Sequence, residues 1–142
     1  MKQHSAWLAA GLLTLTVLAC NYSASNKEAG GYKTAYLNMA KDNGNEQPGA
    51  ETKTFSPTDH VIHCVGKLND AKEGTKVTFS WWAVDAGDSK NEKIKDLDYT
   101  TKGEENIIHA HLSLPRDWPK GKYKCALTVN GVSDRSVEYT VE

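Results

Sequence analysis

The stretch KVTFSWWAV, residues 76–84, alternates apolar and polar side chains. One face carries Val77, Phe79, Trp81 and Ala83, and the other carries Lys76, Thr78, Ser80 and Trp82. Side chains point to opposite faces of a strand at successive residues, so a period of two is typical of a strand with one buried face. This stretch therefore predicts a half-buried β-strand.

Comparable runs separated by turn residues fill the C-terminal two thirds of the chain. They cover a short run near Thr54 and residues 60–68, 76–84, 94–101, 107–114, 122–129 and 135–141. Asn130-Gly131, between the last two runs, is a strong hairpin signal because both residues tolerate positive φ. Turn signals every 8–12 residues or so are typical of a β-sandwich. We predict an all-β, antiparallel sandwich of about seven strands over residues 54–142.

Composition and motifs argue against two classes of function. The chain has 17 Lys and Arg against 18 Asp and Glu, mixed along its length. A nucleic-acid binder normally carries a concentrated basic face, so no nucleic-acid partner is expected. The sequence contains no G-x-S-x-G, H-E-x-x-H or P-loop motif. Asp96 and Asp98 share a strand face but are interpreted as solvated acids, and we predict that the protein is not an enzyme.

The first twenty residues have the layout of a secretory signal. Met1-Lys2 supplies a positive start, residues 6–19 are uncharged, and Ala19 is a small residue before a cut. The apolar run is shorter than the roughly 20 residues that a membrane-spanning helix needs. We therefore predict export, with residues 1–19 removed as a signal peptide.

Residues 21–53 are rich in glycine, asparagine, lysine and glutamate. Such a composition buries too little apolar surface to offset the entropy of ordering, so a flexible tether is predicted over residues 20–53. Tyr32, Tyr36, Leu37 and Met39 are the exception, and suit one helical turn or a weak docking patch. A passive spacer is favoured over a binding segment.

Val17-Leu18-Ala19-Cys20 resembles the lipobox of bacterial lipoproteins. In that family the cysteine is lipidated, with palmitate among its chains, and becomes the first residue of the mature protein. The resemblance implies a lipid anchor on Cys20 in the bacterial cell envelope. Asn21 in place of an aspartate implies the outer membrane, facing the periplasm or the surface. The alternative is an ordinary signal peptide with an incidental thiol at Cys20.

Cys64, Trp81, Tyr123 and Cys125 together resemble the core of an immunoglobulin-like fold. The stretch WPKGKYKC, residues 118–125, also resembles the end of immunoglobulin-like modules in bacterial envelope lipoproteins. The resemblance implies a disulfide between Cys64 and Cys125 across two sheets, packed on Trp81, and a corner hydrogen bond from Tyr123. A redox or metal site is the alternative for the two cysteines, although they lack C-x-x-C spacing.

His109 and His111 are the candidate metal ligands. Two residues apart on a strand, they point to one face, and His63 or His60 would supply a third imidazole for zinc or copper. The alternative is a pair of solvent-exposed histidines without a ligand, in a protein that needs no cofactor.

Trp82 and Trp118 are candidate partner-binding or glycan-binding residues. An outward Trp82 would expose a flat ring, and tryptophan is enriched at binding hot spots. The alternatives are that other residues cover Trp82 and that Trp118 plugs one end of the sandwich.

These residues predict a lipid-anchored, non-catalytic binding or scaffolding module for another envelope component. A carbohydrate- or peptidoglycan-binding module and a zinc- or copper-binding domain are the alternatives. The sequence makes no prediction of oligomeric state.

Overall fold

A computed structural model describes residues 31–142, which form nine β-strands and no helix. The strands are β1 (Thr34–Asp42), β2 (Pro48–Glu51), β3 (Thr54–Phe55), β4 (Val61–Leu68), β5 (Lys76–Ala86), β6 (Ser89–Thr100), β7 (Ile107–Ser113), β8 (Gly121–Val129) and β9 (Val132–Val141). None of these residues belongs to a helix able to cross a membrane. The predicted all-β class is confirmed.

The strands form two sheets that pack face to face. One sheet has the order β2-β1-β4-β7, and the other has the order β3-β9-β8-β5-β6. All pairs are antiparallel except the short parallel pair of β3 with β9. The sandwich prediction is therefore confirmed, and the predicted count of about seven strands over residues 54–142 matches β3 to β9. Two further strands, β1 and β2, precede them, and one pair is parallel rather than antiparallel.

The predicted tether over residues 20–53 is wrong from Thr34 onward, because β1 and β2 lie within it. Leu37 and Met39 of β1 are buried in the core, and β1 pairs along its length with β4. Leu37 and Met39 thus belong to the inward face of a strand rather than to a helical turn or a docking patch, whereas Tyr36 is only partly buried and Tyr32 precedes the strand. Residues 20–30, the signal peptide and Cys20 lie outside the described residues.

The polar residues that suggested a tether form the turn between β1 and β2. The Asn43 amide donates to the Gln47 carbonyl at 3.0 Å. The Gly44 amide donates to the Asp42 carboxylate at 2.7 Å, and the Asn45 amide to the Asn43 side chain at 3.0 Å. Asparagine, aspartate and glycine are common in such turns because their side chains or conformational freedom stabilise the reversal.

Trp81 and the two cysteines lie at the centre of the core, and all three are fully buried. Trp81 is the register partner of Cys125 in the neighbouring strand, whereas Cys64 belongs to the opposite sheet. The Tyr123 hydroxyl donates to the Pro119 carbonyl, as the resemblance implied for this residue. The sequence therefore placed the central residues of the sandwich correctly.

The predicted disulfide is not formed in this structure, where Cys64 and Cys125 are both free thiols. The pKa of the Cys64 thiol is raised well above its ordinary value, first by burial and then by a hydrogen bond with Cys125. The two sulfur atoms thus face each other across the sheets. Their juxtaposition is what a disulfide requires, and the bond stays a prediction for the exported chain.

A buried carboxylate joins the start of β1 to the start of β9. Asp134 is 6% exposed and accepts hydrogen bonds from the Lys33 amide at 2.8 Å, the Thr34 amide at 3.2 Å and the Thr34 hydroxyl. Arg135 donates to the Thr34 carbonyl at 3.0 Å and stacks on the Tyr32 ring at 3.8 Å. This latch fixes the point at which the chain enters the sandwich.

Strand β6 begins at Ser89, earlier than the predicted run at residues 94–101. It is the outermost strand of its sheet and pairs only with β5. Most of its side chains are exposed, so the alternation of apolar and polar residues is weak and the sequence signal is lost. The Asn130-Gly131 turn, in contrast, is confirmed, with φ of 49° and 79°.

Candidate functional site

Three histidines lie together on the outer face of the four-stranded sheet. His63 comes from β4, and His109 and His111 come from β7. His63 is the register partner of His111, and His109 is opposite Val65, two residues further along β4. The His63 ring centre lies 5.3 Å from that of His111 and 5.9 Å from that of His109. The antiparallel register of β4 and β7 thus brings together all three residues of the predicted set.

His60, the other candidate third ligand, lies elsewhere. Its Nε2 bonds the Asp117 carboxylate at 2.8 Å, and both side chains are largely exposed. His60 precedes β4, whereas His63 lies within it, and only the latter is held in register with β7.

His63 is fully buried, and its ring has one polar partner. Its Nε2 lies 2.8 Å from Oδ1 of Asp42, at the end of β1. This hydrogen bond is the main cause of a lowered pKa for the Asp42 carboxyl. Asp42 is therefore ionised at neutral pH and accepts a hydrogen bond from the Nε2–H of His63. The Nδ1 atom of His63 is buried and has no hydrogen-bond partner.

His109 is half-buried beside His63. Burial is the main cause of its lowered pKa, and the neighbouring His63 and His111 add to the effect. The ring is therefore neutral at neutral pH, with a lone pair on one nitrogen. Its Nδ1 is buried without a hydrogen-bond partner, like that of His63. The cluster thus contains two buried imidazole nitrogens whose hydrogen-bonding capacity is unused.

The cluster is not a ready-made metal centre. Within residues 31–142, no group of three or more His, Cys, Asp or Glu side chains is placed to hold a metal ion as it stands. The three imidazoles are neighbours, but their ligand atoms do not converge on one point.

A groove of about 660 Å³ runs beside the cluster, between the outermost strands of the two sheets. Strand β6 contributes Lys95, Leu97 and Tyr99 to its walls, and β7 contributes residues 109–113. Residues 45–47, in the turn between β1 and β2, line it as well. The groove therefore has an apolar floor and imidazoles at one rim, and its walls carry one basic side chain, Lys95, and two acidic ones, Glu46 and Asp98.

Trp82 lies on the outer face of the five-stranded sheet and is half-buried. The Lys93 ammonium lies 5.2 Å from its ring centre, and the Lys124 ammonium lies 5.3 Å from it. These are cation–π distances, so the lysines flank the indole. Trp82 points outward as predicted, but neighbouring side chains partly cover it.

The prediction that Trp118 binds a partner or a glycan at the surface is wrong. It is 2% exposed and packs edge-on against Tyr123, with ring centres 5.3 Å apart. The alternative given for it, a plug within the sandwich, is the one the structure supports. A tryptophan next to a proline in a polar loop gave no indication of which way its ring would turn.

Sequence reasoning missed Asp42 as a functional residue, because it fell in the segment taken for a tether. The turn residues that follow it, Asn43 and Gly44, are a hairpin signal that could have placed it at the end of a strand.

The two outer faces therefore differ in chemistry. One presents clustered imidazoles beside a groove, and the other presents lysines around an indole. No protein-family model matches the chain, and no curated protein matches it either.

Proposed function

We propose that the protein is a lipid-anchored, non-catalytic binding module of the bacterial cell envelope. It holds an extended segment of another envelope protein in the groove between β6 and β7. The groove, about 660 Å³ and flanked by two unpaired strand edges, is the observation that carries this proposal. The lipobox resemblance at residues 17–20 supports the anchoring.

The two strand edges favour an extended ligand. Among the strands of residues 31–142, β6 and β7 are each outermost in their sheets, so each has backbone N–H and C=O groups that no described strand pairs on one side. A peptide that adds to such an edge gains main-chain hydrogen bonds, while side-chain pockets give specificity. Leu97 and Tyr99 of β6 provide an apolar surface for alternate side chains of the ligand.

The charges along β6 are mixed. The strand carries three lysines and three acidic residues, all exposed: Lys90, Lys93, Lys95, Glu92, Asp96 and Asp98. Charged side chains on an edge strand oppose pairing with a second copy of the same strand. Lys95 is the basic side chain that lines the groove, so a segment that places an acidic residue against it and apolar residues elsewhere fits best.

A lipid on Cys20 would keep the groove close to the membrane. The residues between Cys20 and Thr34 can span at most about 50 Å even when fully extended. Confinement within that distance raises the effective concentration of the sandwich toward membrane-associated partners. The anchor thus supplies part of the binding strength that a single groove lacks.

The test is cross-linking and pull-down from native membranes with the full-length, lipidated protein. We expect a specific envelope protein to be captured, and Lys95→Glu to reduce its yield severalfold because it replaces the basic side chain that lines the groove with an acidic one. Lys120→Glu, an exposed change outside the groove, is the matched control and should leave the yield unchanged. Equal yields with both variants, or capture of no specific protein, would contradict the proposal.

A further inference from the structure

We infer that His63, His109 and His111 form a three-imidazole binding site for Zn²⁺ or Cu²⁺, with Asp42 as the positioning residue. The inference goes beyond the proposed partner binding and does not depend on it. Three observations support it: the buried unpartnered nitrogens, the carboxylate behind His63 and the spacing of the rings.

The Asp42–His63 pair sets the tautomer that a metal ligand needs. An ionised carboxylate can only accept, so the Nε2 atom of His63 carries the proton in the 2.8 Å hydrogen bond. The Nδ1 atom then carries a lone pair, and it is buried without a partner. Metal-binding histidines commonly donate their second ring N–H to a carboxylate, which fixes the ring and strengthens the ligand.

Buried polar atoms without a partner are uncommon in folded proteins and call for an explanation. Two occur in this one cluster, Nδ1 of His63 and Nδ1 of His109. A cation bound between the rings would satisfy both, whereas a solvated pair of surface histidines would leave neither buried. Both nitrogens are therefore available to a ligand.

The two ring separations from His63 are close to those of imidazoles that share one ion. An imidazole nitrogen binds zinc at about 2.0–2.1 Å, so two imidazoles on one tetrahedral ion have ring centres about 5 Å apart. The observed separations from His63 are 5.3 Å and 5.9 Å. Convergence of the ligand atoms then requires rotation of side chains on two paired strands, with little movement of the backbone.

The donor set selects the metal. Imidazoles suit zinc and copper, whereas magnesium and calcium prefer oxygen ligands. Three protein ligands leave a fourth position for water or for a side chain of a bound partner. The groove reaches His109 and His111, so this open position faces it.

The experiment is calorimetric titration of chelator-treated, full-length protein with Zn²⁺ and, separately, with Cu²⁺. We expect one ion per chain at roughly micromolar concentration or below. His109→Ala should abolish binding, and His60→Ala, which removes a histidine outside the cluster, should leave it unchanged. With Cu²⁺, electron paramagnetic resonance should show hyperfine coupling to imidazole nitrogen in the wild-type protein and not in His109→Ala.

Asp42→Asn provides a second test. It should weaken the metal affinity about 10- to 100-fold, as expected for loss of the carboxylate behind a ligating histidine, while circular dichroism stays unchanged. Absence of binding by either ion would overturn the inference. Binding that persists in His109→Ala, or that His60→Ala removes equally, would also overturn it.

Discussion

Gly121, at the start of β8, shows how closely single residues are fitted in this sandwich. Its φ of 150° is rare for residues with a side chain. A Cβ atom added there would lie 2.2 Å from the Asp85 carbonyl oxygen and 2.6 Å from the Ala86 Cα. Both contacts are with the backbone of β5, where the ladder between β5 and β8 shifts register. Glycine is therefore needed for the two strands to approach.

Replacing this glycine should be costly. We expect Gly121→Ala to lower the free energy of unfolding by about 3 kcal/mol, from overpacking together with backbone strain. Gly131→Ala is the matched control, because its φ is 79° but no atom lies within 4 Å of an added Cβ. It should cost about 1 kcal/mol. Urea denaturation of both variants measures the difference, and equal losses would contradict the steric argument.

Among the elements, β1 depends most on a single side chain. It belongs to the four-stranded sheet, while the Asp134 carboxylate that binds its first residues belongs to β9 of the other sheet. The latch therefore ties the two sheets together at the entry of the chain. Because three donors converge on one buried carboxylate, its loss would leave all three without that partner.

We expect Asp134→Ala to lower the free energy of unfolding by about 3 kcal/mol, with most of the loosening in β1. Hydrogen exchange should accelerate at residues 33–41 more than in β5 or β8. Asp88→Ala, in the exposed turn between β5 and β6, is the control and should change neither quantity. Uniform acceleration across all strands would show that the latch does not act locally on β1.

Strands with one buried and one exposed face were predictable from the sequence, whereas strands without that contrast were not. Strands β5, β8 and β9 alternate because one face meets the core and the other meets water. Strand β1 departs from alternation because Ala40, on its outer face, is also buried. The first half of β6 is almost entirely exposed, so its sequence does not alternate between apolar and polar residues although the strand is paired.

The candidate site was likewise predictable only in part. Spacing alone put His109 and His111 on one face, because that follows from strand geometry. Choosing His63 over His60 required the register of β4 against β7, which no local pattern specifies. Predicting the contact of Asp42 with His63 required knowing that β1 is a strand. Predicting the burial of Trp118 required knowing how the aromatic residues around it pack.

At the scale of the whole molecule, the two sheets meet around the facing thiols of Cys64 and Cys125. The thiols come from opposite sheets and are separated by 61 positions along the chain. Oxidation in an exported protein would join the sheets covalently. In the chain-entropy account, closing a loop of this length stabilises the fold by about 4 kcal/mol.

Protein isolated from its host should show both cysteine modifications that the resemblances imply. We expect mass spectrometry to find lipid on Cys20, and Cys64 and Cys125 to react with an alkylating agent in denaturant only after reduction. Cys20→Ala should release the protein from membranes without changing the other two cysteines. An unmodified Cys20, or alkylation of both interior thiols before reduction, would contradict these expectations.

Strand β1 also fixes the distance between two features of the molecule. It runs from Thr34, where the latch holds it, to Asp42, where it meets His63. Nine residues of strand extend about 30 Å. Its two ends therefore keep the point where the chain enters the sandwich and the Asp42–His63 pair about 30 Å apart. If the lipid lies before Thr34, this strand separates the anchored end of the domain from that pair.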